Sequence, residues 1–235
     1  FFSLTLKRAV KKALEEWTPD LVQAEWIGSV RYLDSALHRS IPTLYSAHNL
    51  EHLVIAGPPK GRRRIMAYPF ARNMARLERG WAARVTAVSA LSQKETDWFK
   101  PFNPNSYHIP NAVSAEEYPF RPPSSRKDGP VGFIGHLGYP PNRAAAMTLA
   151  REVFPSIRVQ RPNQMCVIAG RVPDSGLLAL ADKNVSILGN LKNMADMWSR
   201  ISLLLCPLTW GAGSRVKLIE AAAWGVPVVA TSISA

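Results

Sequence analysis

The chain has 235 residues, 47% of them hydrophobic and 20% charged, with a formal net charge of +12. That balance excludes a disordered or collagen-like chain and leaves enough apolar material for one large core or two modest ones. No apolar run approaches the roughly 20 residues that span a bilayer.

The opening Phe1-Phe2-Ser3-Leu4-Thr5-Leu6 is too short for a secretory apolar segment and is followed by lysines, so it reads as a cut edge. Strands are expected at 20–24 and 41–46, then at 85–89 and 107–109, with helices at 62–82 and 91–99, the latter opening at Ser92 or Leu91. His48, Asn49, Glu51 and His52 crowd the end of the second strand, and Glu25 ends the first. His48 or Glu25 could orient or deprotonate an acceptor hydroxyl, with Glu51 beside them; the same residues also suit a loop that caps a helix. As a metal site the group lacks the helical His spacing of zinc enzymes.

Residues 60–84 hold Lys60, Arg62, Arg63, Arg64, Arg72, Arg76, Arg79 and Arg84 against Glu78 alone. Such a stretch is either a solvated helix face or a patch for anionic membrane lipid. Nucleic acid is the disfavoured partner, because the arginines are not interleaved with a run of stacking aromatics. A proline-rich segment at 119–130 reads as a linker between a domain over 1–118 and a second over 131–235.

Beyond the linker the rhythm is regular. Strands are expected at 131–134, 165–169, 185–188, 203–206 and 226–230, several of them continuous apolar runs with a helical pattern between. That is the mark of a doubly wound α/β domain with a parallel sheet. Cys166 and Cys206 fall inside two of these runs and read as buried free thiols, which points to a cytoplasmic protein. The chain stops just after a strand, so the second domain, like the first, is expected to be incomplete.

The richest segment is Gly211-Ala212-Gly213-Ser214-Arg215-Val216-Lys217-Leu218-Ile219-Glu220. It follows a strand and opens a helix, with Ser214 as the expected N-cap and Gly225 and Pro227 as the stop. Gly211 and Gly213 allow the backbone to approach a ligand, and a helix start is a ready anion site. Val216, Leu218, Ile219, Ala222 and Ala223 form the expected apolar arc, with Lys217 and Glu220 together on the other side. Arg215 and Lys217 would meet a diphosphate, and Glu220 could accept hydrogen bonds from ribose hydroxyls. The spacing is neither the dinucleotide fingerprint nor the P-loop.

These residues, with Gly225-Val226-Pro227-Val228-Val229-Ala230-Thr231 behind them, resemble the sugar-nucleotide signature of the retaining group 1 (family 4) glycosyltransferases. Residues 19–25, 42–51, 108–113 and 133–142 are similar to other family segments in the same order. The resemblance implies a GT-B fold, α/β in class, of two Rossmann-like doubly wound parallel-sheet domains. It implies transfer from a nucleotide-diphosphate-sugar co-substrate, with retention, without metal and without further cofactor. A saccharide or lipid-linked acceptor, a cell-envelope polysaccharide or glycolipid pathway, and placement at the inner face of the membrane are the corresponding expectations.

Ala212 stands where many members have Glu, and His136 and Asn142 lie where many have an Arg and a Lys. Arg215 and Lys217 are thereby left as the diphosphate ligands. Gly135 and His136 could approach the phosphates, Pro140-Pro141-Asn142 caps the next helix, and Arg171 is either near the base or a solvated loop residue. The glycine-rich acceptor loop and the C-terminal crossing helix of the family are missing, so the fragment by itself is expected to be inactive. Two other readings stand beside transfer: a sugar-nucleotide epimerase on the same fold, and a basic nucleic-acid-binding protein.

Overall fold

The computed structural model describes residues 3–57, 62–114, 116–122, 125, 129–191, 193–211 and 215–234, the side chains of 62–64 aside. The chain divides into two compact units, one of residues 1–111 with Gly211 and one of residues 112–210 with 215–235, each built on a parallel sheet.

In the first unit α1 (Leu4–Trp17) is capped by Ser3, whose hydroxyl accepts from the Leu6 amide. The strands are β1 (Val22–Glu25), β2 (Thr43–Ala47), β3 (Ala87–Ala90) and β4 (Ser106–His108), hydrogen-bonded in that order and all parallel. Between them run α2 (Asp34–Leu37), α3 (Glu51–Ala56), α4 (Arg62–Ala82) and α5 (Gln93–Phe99). Ser92 caps α5 through the Glu95 amide, as its sequence suggests. Strand register alternates faces, so that Tyr45 and Val88 are fully buried and meet Leu33, Leu50 and Phe99 in one core. The expected strand at 85–89 pairs only from Ala87, because Val85 is used in the turn that closes α4, its amide donating to the Trp81 carbonyl.

In the second unit the strands are β5 (Val131–Ile134), β6 (Cys166–Gly170), β7 (Val185–Gly189), β8 (Leu203–Cys206) and β9 (Val228–Ala230). The sheet order is β7-β6-β5-β8-β9, all parallel. From β5 the chain winds outward through β6 and β7 and then returns to the other side of β5 as β8. The order therefore reverses between β5 and β8, and ligands of open α/β sheets bind at the carboxyl ends of such a pair. The linking helices are α6 (Pro140–Thr148), α7 (Phe154–Gln160), α8 (Ser175–Leu178), α9 (Met194–Arg200) and α10 (Val216–Ala223). One core cluster gathers around Phe133, Leu149, Phe154 and Ile168, and a second around Trp198, Leu204, Ala221 and Trp224. Cys166 and Cys206 are buried free thiols, and burial pushes the Cys166 thiol up to about 12. No described helix is long and apolar enough to cross a membrane.

Candidate functional site

Each unit brings its own group of polar residues to the carboxyl end of its sheet. In the second unit that group forms at the β5–β8 reversal. Lys217, in the first turn of α10, turns back over β5: its ammonium lies 4.2 Å from the centre of the Phe133 ring and donates to Asn142 Oδ1 at 2.8 Å. Asn142 Nδ2 in turn donates to the His136 carbonyl at 3.1 Å, so one amide side chain ties the loop after β5 to α10. Burial is the main reason that the Lys217 ammonium falls from 10.5 to about 8, with Arg215 pushing the same way.

Glycine at 135 leaves room for this arrangement, since a Cβ there would lie 2.8 Å from Lys217 Nζ and 3.0 Å from the Asn142 amide. Gly170 is tighter still. Its φ is +156°, and a Cβ on it would come within 1.6 Å of the Gly135 carbonyl oxygen. The ends of β5 and β6 thus touch backbone to backbone. Beside them opens a cavity of about 250 Å³ lined by Ile134, Gly135, His136, Gly170, Arg171, Leu191 and Met194. Gly135, His136 and Arg171 share this cavity, and His136 and Arg171 are solvent-exposed at its rim.

α10 departs from its expected layout in two respects. Its cap position is held by Arg215, with φ −96° and ψ 77° and no side-chain cap bond, while Gly213 and Ser214 lie outside the described residues. Gly211 is described, with φ +127°. The buried face centres on Ala221 and Trp224 with Leu218 packed beside them, whereas Val216 and Ala222 are exposed. Small Ala221 allows the helix to sit close on the sheet, which turns the expected arc around and aims Lys217 inward. Glu220 accepts a hydrogen bond from the Tyr118 hydroxyl at 3.1 Å. Burial raises the Glu220 carboxyl above the usual carboxylate range, and Tyr118 and Lys217 pull it partly back. Tyr118 also packs edge-on to Trp224, and the Arg121 amide donates to the Trp224 carbonyl, so residues 118–121 lie along α10.

Pro140 and Pro141 open α6, as expected from their fixed φ, but the cap position is Tyr139 without a side-chain bond. Asn142 does not cap; it is spent on Lys217 and His136. Asn142 and Tyr118 are the two partners that sequence reasoning missed. Asn142 had a visible signal, a polar residue where the family places a cation, but Tyr118 bonds a partner 102 positions away and gave none.

In the first unit, His48 Nε2 and Glu25 Oε2 are 2.5 Å apart across the ends of β1 and β2. Partial burial tends to raise the Glu25 carboxyl, but hydrogen bonds from His48, Ser46 and Gln23 outweigh it and hold the group below its ordinary value. Glu51 is close by but engaged, accepting from Trp26 Nε1 at 2.8 Å and from Asn49 Nδ2 at 3.0 Å. Trp26 itself has φ +66°, a left-handed backbone that a bulky residue rarely adopts, immediately after β1. His48 and Glu25 therefore form a hydrogen-bonded pair open to solvent, and Glu51 anchors Trp26. Among the described residues no group of three His, Cys, Asp or Glu side chains is assembled to hold a metal.

Two family models match the sequence in tandem: Glycosyltransferase Family 4 over residues 1–117 and Glycosyl transferases group 1 over residues 129–235. The chain belongs to the group 1 and family 4 glycosyltransferases. No curated protein matches it in sequence. Among solved structures, this glycosyltransferase chain is similar to sucrose-phosphate synthase from Thermosynechococcus elongatus, at 17% identity and TM-score 0.73, over 97% of this chain and 60% of that one. It is similar to HepE of Anabaena in complex with UDP and glucose, at 16% identity and TM-score 0.72, over 97% and 63%. TarM, known from S. aureus, gives 16% and 0.71, over 95% and 44%. At such identities the likeness is one of fold, and that fold is GT-B. The glycosyltransferase chain spans about six-tenths of the length of the first two.

Proposed function

We propose that the protein to which this chain belongs transfers a sugar from a nucleotide-diphosphate-sugar to an acceptor hydroxyl, with retention at the anomeric carbon. The observation that carries the reading is the half-buried Lys217 ammonium at the β5–β8 reversal, braced by Asn142 and Phe133. A cation held where burial disfavours its charge is matched to an anion that arrives with the substrate. In this reading Lys217 and Arg215 meet the diphosphate, together with the leading amides of α10, and stabilise the charge that grows on it as the glycosidic bond to the donor breaks. Glu220 accepts the ribose hydroxyls, and the nucleoside occupies the cavity rimmed by His136 and Arg171.

On the other unit, His48 orients the acceptor hydroxyl and takes its proton, and the hydrogen-bonded Glu25 stabilises the resulting imidazolium. The nucleotide-sugar is the co-substrate, and positive charge for the leaving group comes from side chains. A saccharide or lipid-linked acceptor of the cell envelope fits the exposed apolar residues of α4, Ile65, Met66 and Phe70, set among its arginines. That helix would rest on anionic lipid at the cytoplasmic face of the membrane. HepE, of the same fold, was solved with UDP-glucose, which supports a nucleotide-sugar of this type as donor.

The test is a thermal-shift and calorimetric screen of the whole protein against UDP, GDP, ADP and CMP. One nucleoside diphosphate is expected to stabilise it, and Lys217→Ala is expected to abolish the effect. An equal response to all four, or to none, sinks the reading.

A further inference from the structure

A cavity of about 520 Å³ in the first unit lies between α3 and α4, and none of the residues placed above at the donor or at the acceptor hydroxyl lines it. Along α4, Tyr68, Arg72, Arg76 and Arg79 line it at spacings of four, four and three, which places them on one helix face. Ala71 and Ala75, both buried, form its floor, and small side chains there are what give it depth. His52 of α3 supplies part of the opposite wall.

Like charges at this spacing repel one another unless something neutralises them. α4 has a single acid, Glu78, and it is fully buried and already engaged: its carboxylate accepts the Glu51 amide and His52 Nδ1, each at 2.6 Å. Among the described residues none of the three arginines is in an ion pair. The walls are nevertheless ordered. Arg79 sits over the Trp98 and Phe102 rings at 5.5 and 5.3 Å, and His52 stacks on Trp98 with ring centres 4.9 Å apart. With Nδ1 committed to Glu78, Nε2 is the His52 nitrogen left to face a ligand. Arg76 is steadied by Asn73 Oδ1 at 3.2 Å.

We propose that this cavity binds a phosphoryl group, as a phosphomonoester or a diphosphate. Three guanidinium forks along one wall, with a phenol and an imidazole nitrogen at the edges, match a group with several charges and three or more acceptor oxygens; a carboxylate offers one charge and two. Such a group arrives either on a lipid, whose chains would meet exposed Ile65, Met66 and Phe70 on the same helix, or on a soluble phosphorylated sugar. Its use as the acceptor's anchor rests on the transfer reaction proposed above. The binding itself does not.

The experiment uses the whole protein saturated with the nucleoside diphosphate that the screen above selects, so that the Lys217 site is filled. Inorganic phosphate and pyrophosphate are titrated in by calorimetry. Vesicles of phosphatidylcholine doped with phosphatidic acid, or with phosphatidylglycerol as an equal-mole control, are tested by co-sedimentation. The variant is Arg72→Ala with Arg76→Ala, two exposed positions where alanine favours the helix. The charge-matched control is Arg151→Ala with Arg161→Ala, exposed on the other unit. Binding at least about tenfold weaker in the first variant, with the control unchanged, is the expected result. Loss confined to the phosphatidic acid vesicles assigns a lipid source, and loss confined to the soluble anions assigns a soluble one. Equal loss in both variants means bulk charge, and no loss in the first means no site; either overturns the proposal. Should none of the nucleotides of that screen bind while the α4 variant still loses phosphate, the transfer reading falls and this one stands.

Discussion

Replacing Lys217 by methionine separates what the site needs from what the fold needs. Methionine keeps most of the length of the unbranched side chain and removes its charge. Burial lowers the ammonium from 10.5 to about 8, which corresponds to about 3 kcal/mol of folding free energy lost at neutral pH. Below pH 8 folded and unfolded chains both hold the proton, and folding bears that loss in full. Between about pH 8 and 10.5 the folded chain has released it while the unfolded chain retains it, so stability rises with pH. Above that range both are neutral and the loss disappears.

Methionine forfeits the hydrogen bond to Asn142, about 1 kcal/mol. Lys217→Met should therefore be more stable than the parent by about 2 kcal/mol at pH 7, or about 4–8 °C in Tm. That advantage should vanish by about pH 10.5. Over the same substitution, affinity for the nucleoside diphosphate at pH 7 should fall about 10- to 100-fold, as a charge-assisted contact is lost. Thermal melts of both proteins at matched pH values check the first claim, because every other titration cancels in the difference. A stability difference that stays constant from neutral to alkaline pH would refute the burial argument, and an unchanged affinity would refute the role assigned to Lys217.

Three further outcomes follow from single positions. Gly170→Ala should destabilise the protein by more than about 3 kcal/mol, because the added methyl meets the Gly135 carbonyl oxygen, whereas Gly80→Ala, in open space on α4, should stabilise it by about 0.5–1 kcal/mol; paired melts decide both. Glu25→Gln should lower the transfer rate about 100-fold with nucleotide affinity unchanged, measured as turnover beside calorimetry, and an equal fall in both would remove His48 and Glu25 from the acceptor step.

Much of the second unit was legible in the sequence because a sheet covered on both faces needs continuous apolar strands. The runs at 131–134 and 203–206 coincide with β5 and β8. β9 begins at Val228 rather than 226 because Val226 is buried in the turn after α10, its amide bonded to the Ala221 carbonyl. Apolar character marks burial, not membership of a ladder, and Val85 makes the same point in the first unit. The lean of α10 was not legible. Its alanines score alike on every face, and only packing against the sheet decides that Ala221 is inside and Ala222 outside. The pairing of His48 with Glu25 followed from two strand ends expected side by side, whereas the left-handed Trp26 has no local signature. Neither Gly nor Asn occupies that position.

The backbone contact between Gly135 and Gly170 bears on how this pocket can be re-engineered. Its inner wall is shaped by atoms that are missing, and neither glycine can be exchanged to compensate for the other, since each faces main chain or Asn142 and Lys217 at close range. On the proposed reading, in which the nucleoside occupies this cavity, variation in nucleotide preference is channelled to other lining positions such as Arg171, Leu191 and Met194. A library confined to those three positions would, on that reading, sample new bases while leaving Lys217 and Asn142 as they are.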